Sequence, residues 1–289
     1  MTSELHRTVI RFCAVVVAVA WVGAAPAQAD NTQGVQRLYV LNCGENETKD
    51  LSPWSPGFNV GKPFEFSDSC YLIRHAKGVL LWESGVSDAI AAMPDGLTVG
   101  NGMLTMHVRK TLRSQLQELG ISPAQVTHIG FSHFHGDHVG NANLFTSSKL
   151  FIQKAEYDVV FGPDAAKSGF NPAFYNKLKD NPVVVLEGDH DIFGDGSVVI
   201  YSTPGHTAGH QSLLLRLPKT GPVLLSGDAV HFRENWENRR VPARNFSQEQ
   251  SLASMEKLAS IIAKEHATLW INHDKAQTDT LQHAPEYFE

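Results

Sequence analysis

Residues 132–138 read SHFHGDH and place three histidines and an aspartate within seven positions. They follow an apolar run that predicts a strand. In an extended chain His133 and His135 point the same way, and a turn at the glycine lets Asp137 and His138 swing towards the same point. Imidazole is well suited to bind zinc and related divalent metals. The stretch therefore predicts a metal site that presents ligands to two adjacent ions.

Three later stretches can complete this site, because each closes a predicted strand with a polar residue. STPGHTAGH contains His206, LLSGDAV contains Asp228, and LWINHD contains His273. A polar group at the end of a buried strand costs desolvation free energy unless something binds it. STPGHTAGH also contains His210, and spacing alone does not decide which of its two histidines is the ligand.

The remaining pattern alternates many short strands with a few helices. Short β-branched and apolar segments bounded by Gly, Pro, Asn or Asp predict strands at residues 37–43, 70–75, 78–84, 128–133, 149–153, 182–188, 197–203, 211–217, 222–228 and 268–274. Amphipathic segments predict helices at 105–119 and 248–265. Residues 45–66 and 157–181 predict long loops.

The amino-terminal sequence, MTSELHRTVIRFCAVVVAVAWVGAAPAQAD, has the order of a secretory signal peptide. Two arginines precede an apolar run from Phe12 to Ala25, and small residues follow. The run is shorter than the roughly 20 apolar residues of a membrane span, which disfavours the alternative of a retained anchor. We expect cleavage after Ala29, so that 1–29 is the signal peptide and 30–289 is a single domain. The sequence thus predicts a secreted or periplasmic protein with no stable membrane anchor after cleavage.

Charge and cysteine usage narrow the possible partners. The chain has 24 basic and 30 acidic residues and no run of Lys or Arg, which argues against a nucleic-acid partner. Cys43 and Cys70 are the cysteines that follow the predicted signal peptide. They form either a disulfide, which an oxidising compartment allows, or two buried free thiols.

The order H-x-H-x-D-H, then His, Asp and His, resembles the metallo-β-lactamase superfamily of dinuclear metal hydrolases, as do the motifs HFHGDH, TPGHTAGHQSLLL and LLSGDAV. The resemblance covers residues 37–275. It implies an α/β fold, a four-layer αββα sandwich with two divalent metal ions, which we expect to be Zn²⁺, at one edge of the two sheets. It assigns His133, His135 and His206 to the first ion, Asp137, His138 and His273 to the second, and Asp228 as a bridge.

Within that superfamily the chain is most similar to the N-acyl-homoserine lactonases. The stretches that carry this similarity are CYLIRHAKGVLLWESG, SPGFNVGKP, GHQSLLLRL and the NHD around the last histidine. The resemblance implies a small-molecule substrate whose lactone ring is opened by a metal-bridging hydroxide. It also implies that Asp137 carries a proton to the leaving alkoxide and that His210 supports the site.

Two positions depart from the pattern of this family. Glu83 stands where most of the superfamily has aspartate, so this carboxylate beside the ligands is one methylene longer. His231 stands where many of the lactonases have a tyrosine that touches the substrate. We expect His231 to act as an electrophile or a proton donor; the alternative is a histidine of a surface loop.

An acyl-chain substrate requires an apolar cleft beside the metals. We expect aromatic side chains near the ligands either to line this cleft or to close the core. The candidates for the cleft are Phe134, Phe174, Phe232 and Trp236, followed by Trp54, Phe58, Phe170 and Tyr175.

Other activities of the superfamily remain as alternatives. A β-lactamase is disfavoured because the best-known zinc-dependent ones use a Cys ligand or lack the bridging Asp. A glyoxalase-II-like thioesterase is disfavoured because few residues follow His273. A phosphotriester hydrolase shares the ligand set and stays open. A non-catalytic metal-binding protein is disfavoured by the complete ligand set.

Overall fold

The computed structural model describes residues 34–289, so the predicted signal peptide lies outside the described residues. The strands of the larger sheet are β1 (Val35–Thr48), β2 (Phe64–His75), β3 (Gly78–Trp82), β4 (Leu97–Val99), β5 (Leu104–His107), β6 (His128–Gly130), β7 (Lys149–Gln153) and β8 (Val183–Leu186). They lie in the order β4-β5-β1-β2-β3-β6-β7-β8.

The smaller sheet is built from the second half of the chain. Its strands are β9 (His190–Asp191), β10 (Val198–Ser202), β11 (Gln211–Leu217), β12 (Gly221–Leu225) and β13 (Thr268–Trp270). They lie in the order β13-β12-β11-β10-β9. Most neighbouring pairs are antiparallel. The parallel pairs are β12 with β13 in the smaller sheet, and β3 with β6, β6 with β7 and β7 with β8 in the larger sheet.

The α-helices are α1 (Leu112–Glu118), α2 (Gly136–Val139), α3 (Lys154–Val160), α4 (Arg233–Asn238), α5 (Gln248–Glu265) and α6 (Lys275–Thr278). None of the helices between residues 34 and 289 is long and apolar enough to cross a membrane.

The two sheets pack face to face, and helices cover their outer faces. Side chains alternate along β1: Leu38 and Val40 face the layer between the sheets, whereas Tyr39 and Leu41 pack with residues of α1 and α3. On the outer face of the smaller sheet, α5 packs Met255 and Leu258 against β11 and β12, while the inward side chains of these strands join the central layer. Because both faces of the central strands are buried, their sequences are nearly continuous apolar runs. The predicted four-layer αββα sandwich is confirmed.

The prediction of a helix over residues 105–119 is partly wrong. Residues 104–107 form β5, which pairs with β1 at one edge of the larger sheet. The helix begins only at Leu112, where the side chain of Thr111 accepts a hydrogen bond from the backbone N–H of Ser114. Pairing with β1 therefore outweighs the helical periodicity at the start of the segment. The helix at 248–265 is observed as predicted.

The loop predicted at 45–66 is shorter than expected, because β1 continues to Thr48 and β2 begins at Phe64. These long strands bring the two cysteines together. Cys43 and Cys70 form a disulfide with a Cα–Cα distance of 5.8 Å. The disulfide joins β1 to β2.

Candidate metal centre

Strand ends from both sheets meet at one edge of the sandwich. The loop after β6 carries His133 and His135, and α2 carries Asp137 and His138. The smaller sheet contributes one residue after each of three strands: His206 follows β10, Asp228 follows β12, and His273 follows β13. The structure therefore brings all seven predicted ligands into one place.

Three histidines form the first group of ligand atoms. Nε2 of His133 lies 2.8 Å from Nδ1 of His135, and Nε2 of His206 lies 3.0 Å from the same Nδ1. Ligands of one metal ion converge in this way, because each bond to nitrogen is only about 2.0–2.1 Å long for zinc. The group matches the first metal position that the resemblance implies.

The second group consists of Asp137, His138 and His273. The two carboxylate oxygens of Asp137 lie 3.9 Å from Nε2 of His138 and 4.0 Å from Nε2 of His273. His138 and His273 are buried, and the side chain of Asp137 is 20% exposed. Asp137 therefore faces the open side of the group.

Asp228 lies between the two groups and divides its oxygens between them. Its Oδ2 is 3.3 Å from Nε2 of His206 and 3.9 Å from Nε2 of His133. Its Oδ1 is 3.3 Å from Nε2 of His138 and 3.1 Å from Nε2 of His273. This is the arrangement of a carboxylate that bridges two metal ions.

Burial and the nearby charges shift the pKa values of these groups in opposite directions. Burial lowers the pKa of His133 and His206 well below the ordinary histidine value, so both rings are neutral. Burial raises the pKa of Asp228, but the neighbouring imidazoles, His273 first, outweigh it and hold the pKa well below its ordinary range. Burial lowers the pKa of His138 and His273, but the neighbouring carboxylates, Asp228 first, outweigh it and raise both pKa values well above the ordinary histidine value, so that a cation would displace a proton from each ring. Neutral imidazole and ionised carboxylate are the forms that bind metal.

Unpartnered buried atoms also fit a metal site. Oδ1 of Asp228 and Nε2 of His138 are buried and have no hydrogen-bond partner in residues 34–289, although they lie 3.3 Å apart. A buried polar atom without a partner costs about 1–3 kcal/mol. A divalent cation between the two atoms removes this cost. The donor set, histidine nitrogens with carboxylate oxygens, suits zinc and neighbouring transition metals.

Four of the five ligand histidines have a partner on the nitrogen that faces away from the site. Ser132 lies on this nitrogen of His133 (3.0 Å) and Asn245 on that of His206 (3.0 Å). His138 has the hydroxyl of Ser132 and the carboxylate of Glu83, both at 3.3 Å, and His273 donates to the carbonyl oxygen of Ser67 (2.9 Å) beside the carboxylate of Asp68 (3.0 Å). Such partners fix the orientation and tautomer of a metal-binding imidazole.

Glu83 has the supporting position that the sequence predicts. One carboxylate oxygen accepts a hydrogen bond from the backbone N–H of Ser132 at 2.9 Å, and the other lies 3.3 Å from Nδ1 of His138. The backbone of Glu83 has a φ of 67°, which is unfavourable for a residue with a Cβ. Strain of this kind often occurs at functional sites.

The structure separates the roles of His206 and His210. Nε2 of His210 accepts a hydrogen bond from the backbone N–H of Asp228 at 2.9 Å, and its Nδ1 donates to the carbonyl oxygen of Thr203 at 3.0 Å. Both nitrogens are therefore occupied, and His210 is placed to support Asp228. His206 is the one of the two that joins the ligand group.

His231 lies beside the ligand groups, with Nε2 3.1 Å from Oδ2 of Asp228. It is buried, and its Nδ1 has no hydrogen-bond partner among the described residues. His206, which lies on the same side of Asp228, has Asn245 on its second nitrogen. The ligand atoms of His206, Asp228 and His231 also converge, but within residues 34–289 His231, like His135, has no partner on its second nitrogen, whereas the other four predicted ligand histidines do.

Glu156 of α3 ties two ligand loops together and was not found by sequence reasoning. One carboxylate oxygen accepts from the backbone N–H of Phe134 at 3.1 Å, and the other accepts from the backbone N–H of Gly209 at 3.0 Å. Burial raises the pKa of Glu156, and these hydrogen bonds oppose that effect. Glu156 lies on a short helix and belongs to no recognisable sequence motif. Its role becomes evident only from its burial in the structure.

The supporting role of Asp68 was also not predicted, although its position within an apolar strand could have indicated that role. It lies in the middle of β2, within FEFSDSCYL, and its side chain is 1% exposed. One oxygen lies 3.0 Å from Nδ1 of His273, and the other accepts from Nδ2 of Asn46 at 2.7 Å. A carboxylate in a buried strand needs such partners, so its position alone could have indicated a supporting role.

Two clefts open over the ligands. The first has a volume of about 180 Å³ and is lined by Asp137, His231 and His273, with Trp54 and Phe66 among its apolar walls. The second has a volume of about 350 Å³ and lies on the far side of His135 and His206. Phe170, one of the predicted aromatic residues, lines the second cleft.

The prediction that Phe134, Phe174, Phe232 and Trp236 line the cleft is corrected by their positions. Phe134 is buried in the core against Phe131 and Tyr175. Phe174 packs at the edge of the same core, Phe232 packs against Phe64, and Trp236 packs beneath α5. Side chains next to ligands in sequence point alternately towards the site and into the core, so proximity in sequence does not identify a cleft residue.

Comparisons with known proteins agree with this geometry. The family model of the metallo-beta-lactamase superfamily matches residues 64–263. The N-acyl homoserine lactonase AttM of Rhizobium johnstonii is 32% identical over 262 residues, covering 87% of this chain and 98% of that protein. The N-acyl homoserine lactonase AiiA of Bacillus thuringiensis subsp. kurstaki is 29% identical over 259 residues, covering 88% and 99%.

A solved structure shows the same similarity. An N-acyl homoserine lactone hydrolase with the product N-hexanoyl-L-homoserine bound at its catalytic metal centre has a TM-score of 0.77 and 28% identity, covering 88% of this chain and 99% of that one. The chain therefore belongs to the metallo-β-lactamase superfamily and, within it, to the N-acyl homoserine lactonase family of metal-dependent hydrolases.

Proposed function

We propose that this protein is an exported, dinuclear metal-dependent lactonase that opens the ring of N-acyl homoserine lactones. The observation that carries the proposal is the position of Asp228 at the floor of the first cleft, with Oδ2 towards His206 and Oδ1 towards His273. A carboxylate divided in this way supports two cations side by side. The relatives named as N-acyl homoserine lactonases support a lactone substrate.

The chemistry of the site follows from its ligands. His133, His135 and His206 would hold one divalent cation and Asp137, His138 and His273 a second, both of which we propose to be Zn²⁺. When bound, such cations would supply Lewis acidity for the lactone carbonyl and would lower the pKa of a water molecule enough to make hydroxide available near neutral pH.

Two side chains of the first cleft are placed to assist the reaction. Hydrolysis joins the oxygen of water to the carbonyl carbon, breaks the ring C–O bond and requires a proton for the leaving alkoxide. Asp137 reaches the open side of the site, and we assign it the transfer of that proton from the attacking water. His231 lines the same cleft, and we assign its Nε2 a hydrogen bond to the substrate.

Export of the protein is proposed on two grounds. The amino-terminal sequence has the basic start, apolar run and small-residue cleavage site of a signal peptide. The disulfide between Cys43 and Cys70 is of a kind that persists in an oxidising compartment such as the periplasm or the cell exterior.

The proposal is tested with the purified protein on four substrates: hexanoyl-homoserine lactone, a simple lactone, a chromogenic cephalosporin and a phosphotriester. We expect hexanoyl-homoserine lactone to be hydrolysed with the highest kcat/KM, and the His133→Ala variant to lose this activity. Turnover of the cephalosporin or the phosphotriester alone would assign the chain to one of those activities instead. Fewer than one metal ion per chain, with no hydrolysis of any substrate, would leave a non-catalytic protein.

A further inference from the structure

The two clefts over the ligands are neighbours and share three lining residues, His135, His206 and Arg244. The first cleft contains the open side of both ligand groups. The second begins where the first ends and continues beyond the ring of His206. A substrate whose reacting carbon lies in the first cleft can therefore extend past Arg244 into the second.

The walls of the second cleft offer mainly hydrocarbon to a ligand. Its apolar residues include Val159, Phe170 and Phe246, and the side chain of Phe246 is 65% exposed. Two of the polar side chains beside them are already paired: Glu156 accepts from two backbone N–H groups, and Asn245 bridges His206 and Ser251. The hydroxyl of Thr207 is buried and has no hydrogen-bond partner among the described residues. The volume of about 350 Å³ falls within the range of roughly 300–1,000 Å³ typical of small-molecule sites.

Arg244 is the basic side chain that both clefts share. Among the residues that line either cleft it is the only Lys or Arg, and it forms no ion pair within residues 34–289. It is also exposed. A guanidinium is a planar fork of N–H donors that binds two neighbouring oxygen atoms at once. The structure thus presents such a fork, without a partner, at the junction of the two clefts.

We propose that the second cleft receives the acyl chain of the substrate and that Arg244 donates hydrogen bonds to the oxygens at its start. This inference rests on the proposed lactonase function. Every N-acyl homoserine lactone has an amide oxygen, and the 3-oxo members have a ketone oxygen two carbons further along. These two oxygens can lie side by side and match the fork of Arg244. The protein therefore prefers 3-oxo-acyl homoserine lactones over unsubstituted acyl homoserine lactones of equal acyl length.

The test compares 3-oxo-octanoyl- and octanoyl-homoserine lactone with the wild type and with Arg244→Met, which keeps a long side chain but removes the donors. We expect the wild type to favour the 3-oxo substrate about tenfold in kcat/KM, because hydrogen bonds to a charged donor contribute more than neutral ones. In Arg244→Met the ratio falls to about one, mainly through KM, since the contact exists in both ground and transition states. Arg113→Met, at an exposed arginine of α1 outside both clefts, keeps the wild-type ratio.

A second variant tests the apolar part of the cleft. Phe246→Ala is expected to lower kcat/KM for decanoyl-homoserine lactone about tenfold while changing that for butanoyl-homoserine lactone less than twofold, since a short chain does not reach the aromatic ring. An unchanged 3-oxo ratio in Arg244→Met, or an unchanged dependence on chain length in Phe246→Ala, would overturn the inference alone. Hydrolysis of none of these lactones by the wild type would overturn the proposed function and this inference with it.

Discussion

The backbone N–H of Asp228 donates a 2.9 Å hydrogen bond to Nε2 of His210. His210 can accept it because Nδ1 carries the ring proton, which it donates to the carbonyl oxygen of Thr203 at 3.0 Å. Burial lowers the pKa of His210 to about 3, so the ring is neutral at physiological pH and keeps both roles. The backbone of the residue whose carboxylate lies between the two ligand groups is thus held by a histidine that is not a predicted ligand.

Replacing His210 should therefore affect both stability and metal binding. His210→Ala leaves the N–H of Asp228 and the carbonyl of Thr203 buried without this partner, which we expect to cost about 1–3 kcal/mol of unfolding free energy. Denaturant unfolding of the metal-free protein measures this cost, and metal analysis should show fewer than two ions per chain. His107→Ala, at a half-buried histidine of β5, serves as the control. Equal stability and metal content in the two variants would contradict the role of His210.

Glu156→Gln tests whether one carboxylate holds the two loops that carry His135 and His206. A glutamine side chain has one acceptor oxygen, so its NH₂ group must face one of the two backbone N–H donors. We expect a loss of about 1–3 kcal/mol in unfolding free energy and weaker binding of the first metal ion. Chelator competition measures the affinity, with Glu187→Gln, at an exposed position, as the control. A Glu156→Gln protein that binds metal as tightly as the wild type would exclude the role.

Asp68→Asn tests the carboxylate behind His273. Nδ1 of His273 donates to the carbonyl oxygen of Ser67 at 2.9 Å and lies 3.0 Å from the carboxylate of Asp68, whose charge raises the basicity of the ring. Removing that charge should weaken binding of the second metal ion about 10–100-fold. The control is Asp195→Asn, which alters a similar aspartate–histidine pair, with His75 at 2.9 Å, outside the metal centre. Equal metal affinity in the two variants would show that Asp68 does not position the ligand.

His231 is predicted to act on the substrate and not to hold metal, because its Nδ1 lacks the supporting partner that His206 has. His231→Ala should keep two ions per chain and lower kcat, since one hydrogen bond to the substrate is lost. His231→Tyr, which restores a hydrogen-bond donor, should retain activity. Loss of a metal ion in His231→Ala would make it a ligand, and unchanged turnover would remove it from the reaction.

The convergence of the seven predicted ligands could be predicted because it depends on order along the chain and on strand ends. HFHGDH fixes four of the residues, and a polar residue closing an apolar strand marks Asp228 and His273. The choice between His206 and His210 came from the resemblance, and only the structure shows its physical reason: both nitrogens of His210 are already occupied.

The supporting and cleft-lining residues were less predictable, because they depend on contacts between segments distant in sequence. Glu156 lies 53 positions before Gly209, to which it binds. Phe134 lies between two ligands, yet its side chain turns into the core. Local periodicity likewise suggested a helix at residues 105–119, where pairing with β1 produces strand β5 instead.

The central claim, a lactonase that requires two metal ions, is tested most directly by restoring metal to the chelated protein. Zn²⁺ is added stepwise, and ring opening of hexanoyl-homoserine lactone is measured at each ratio of metal to chain. We predict no activity without metal and a rate that reaches its maximum at two ions per chain. Full activity after chelation, a maximum at one ion, or no ring opening with two ions bound would contradict the account.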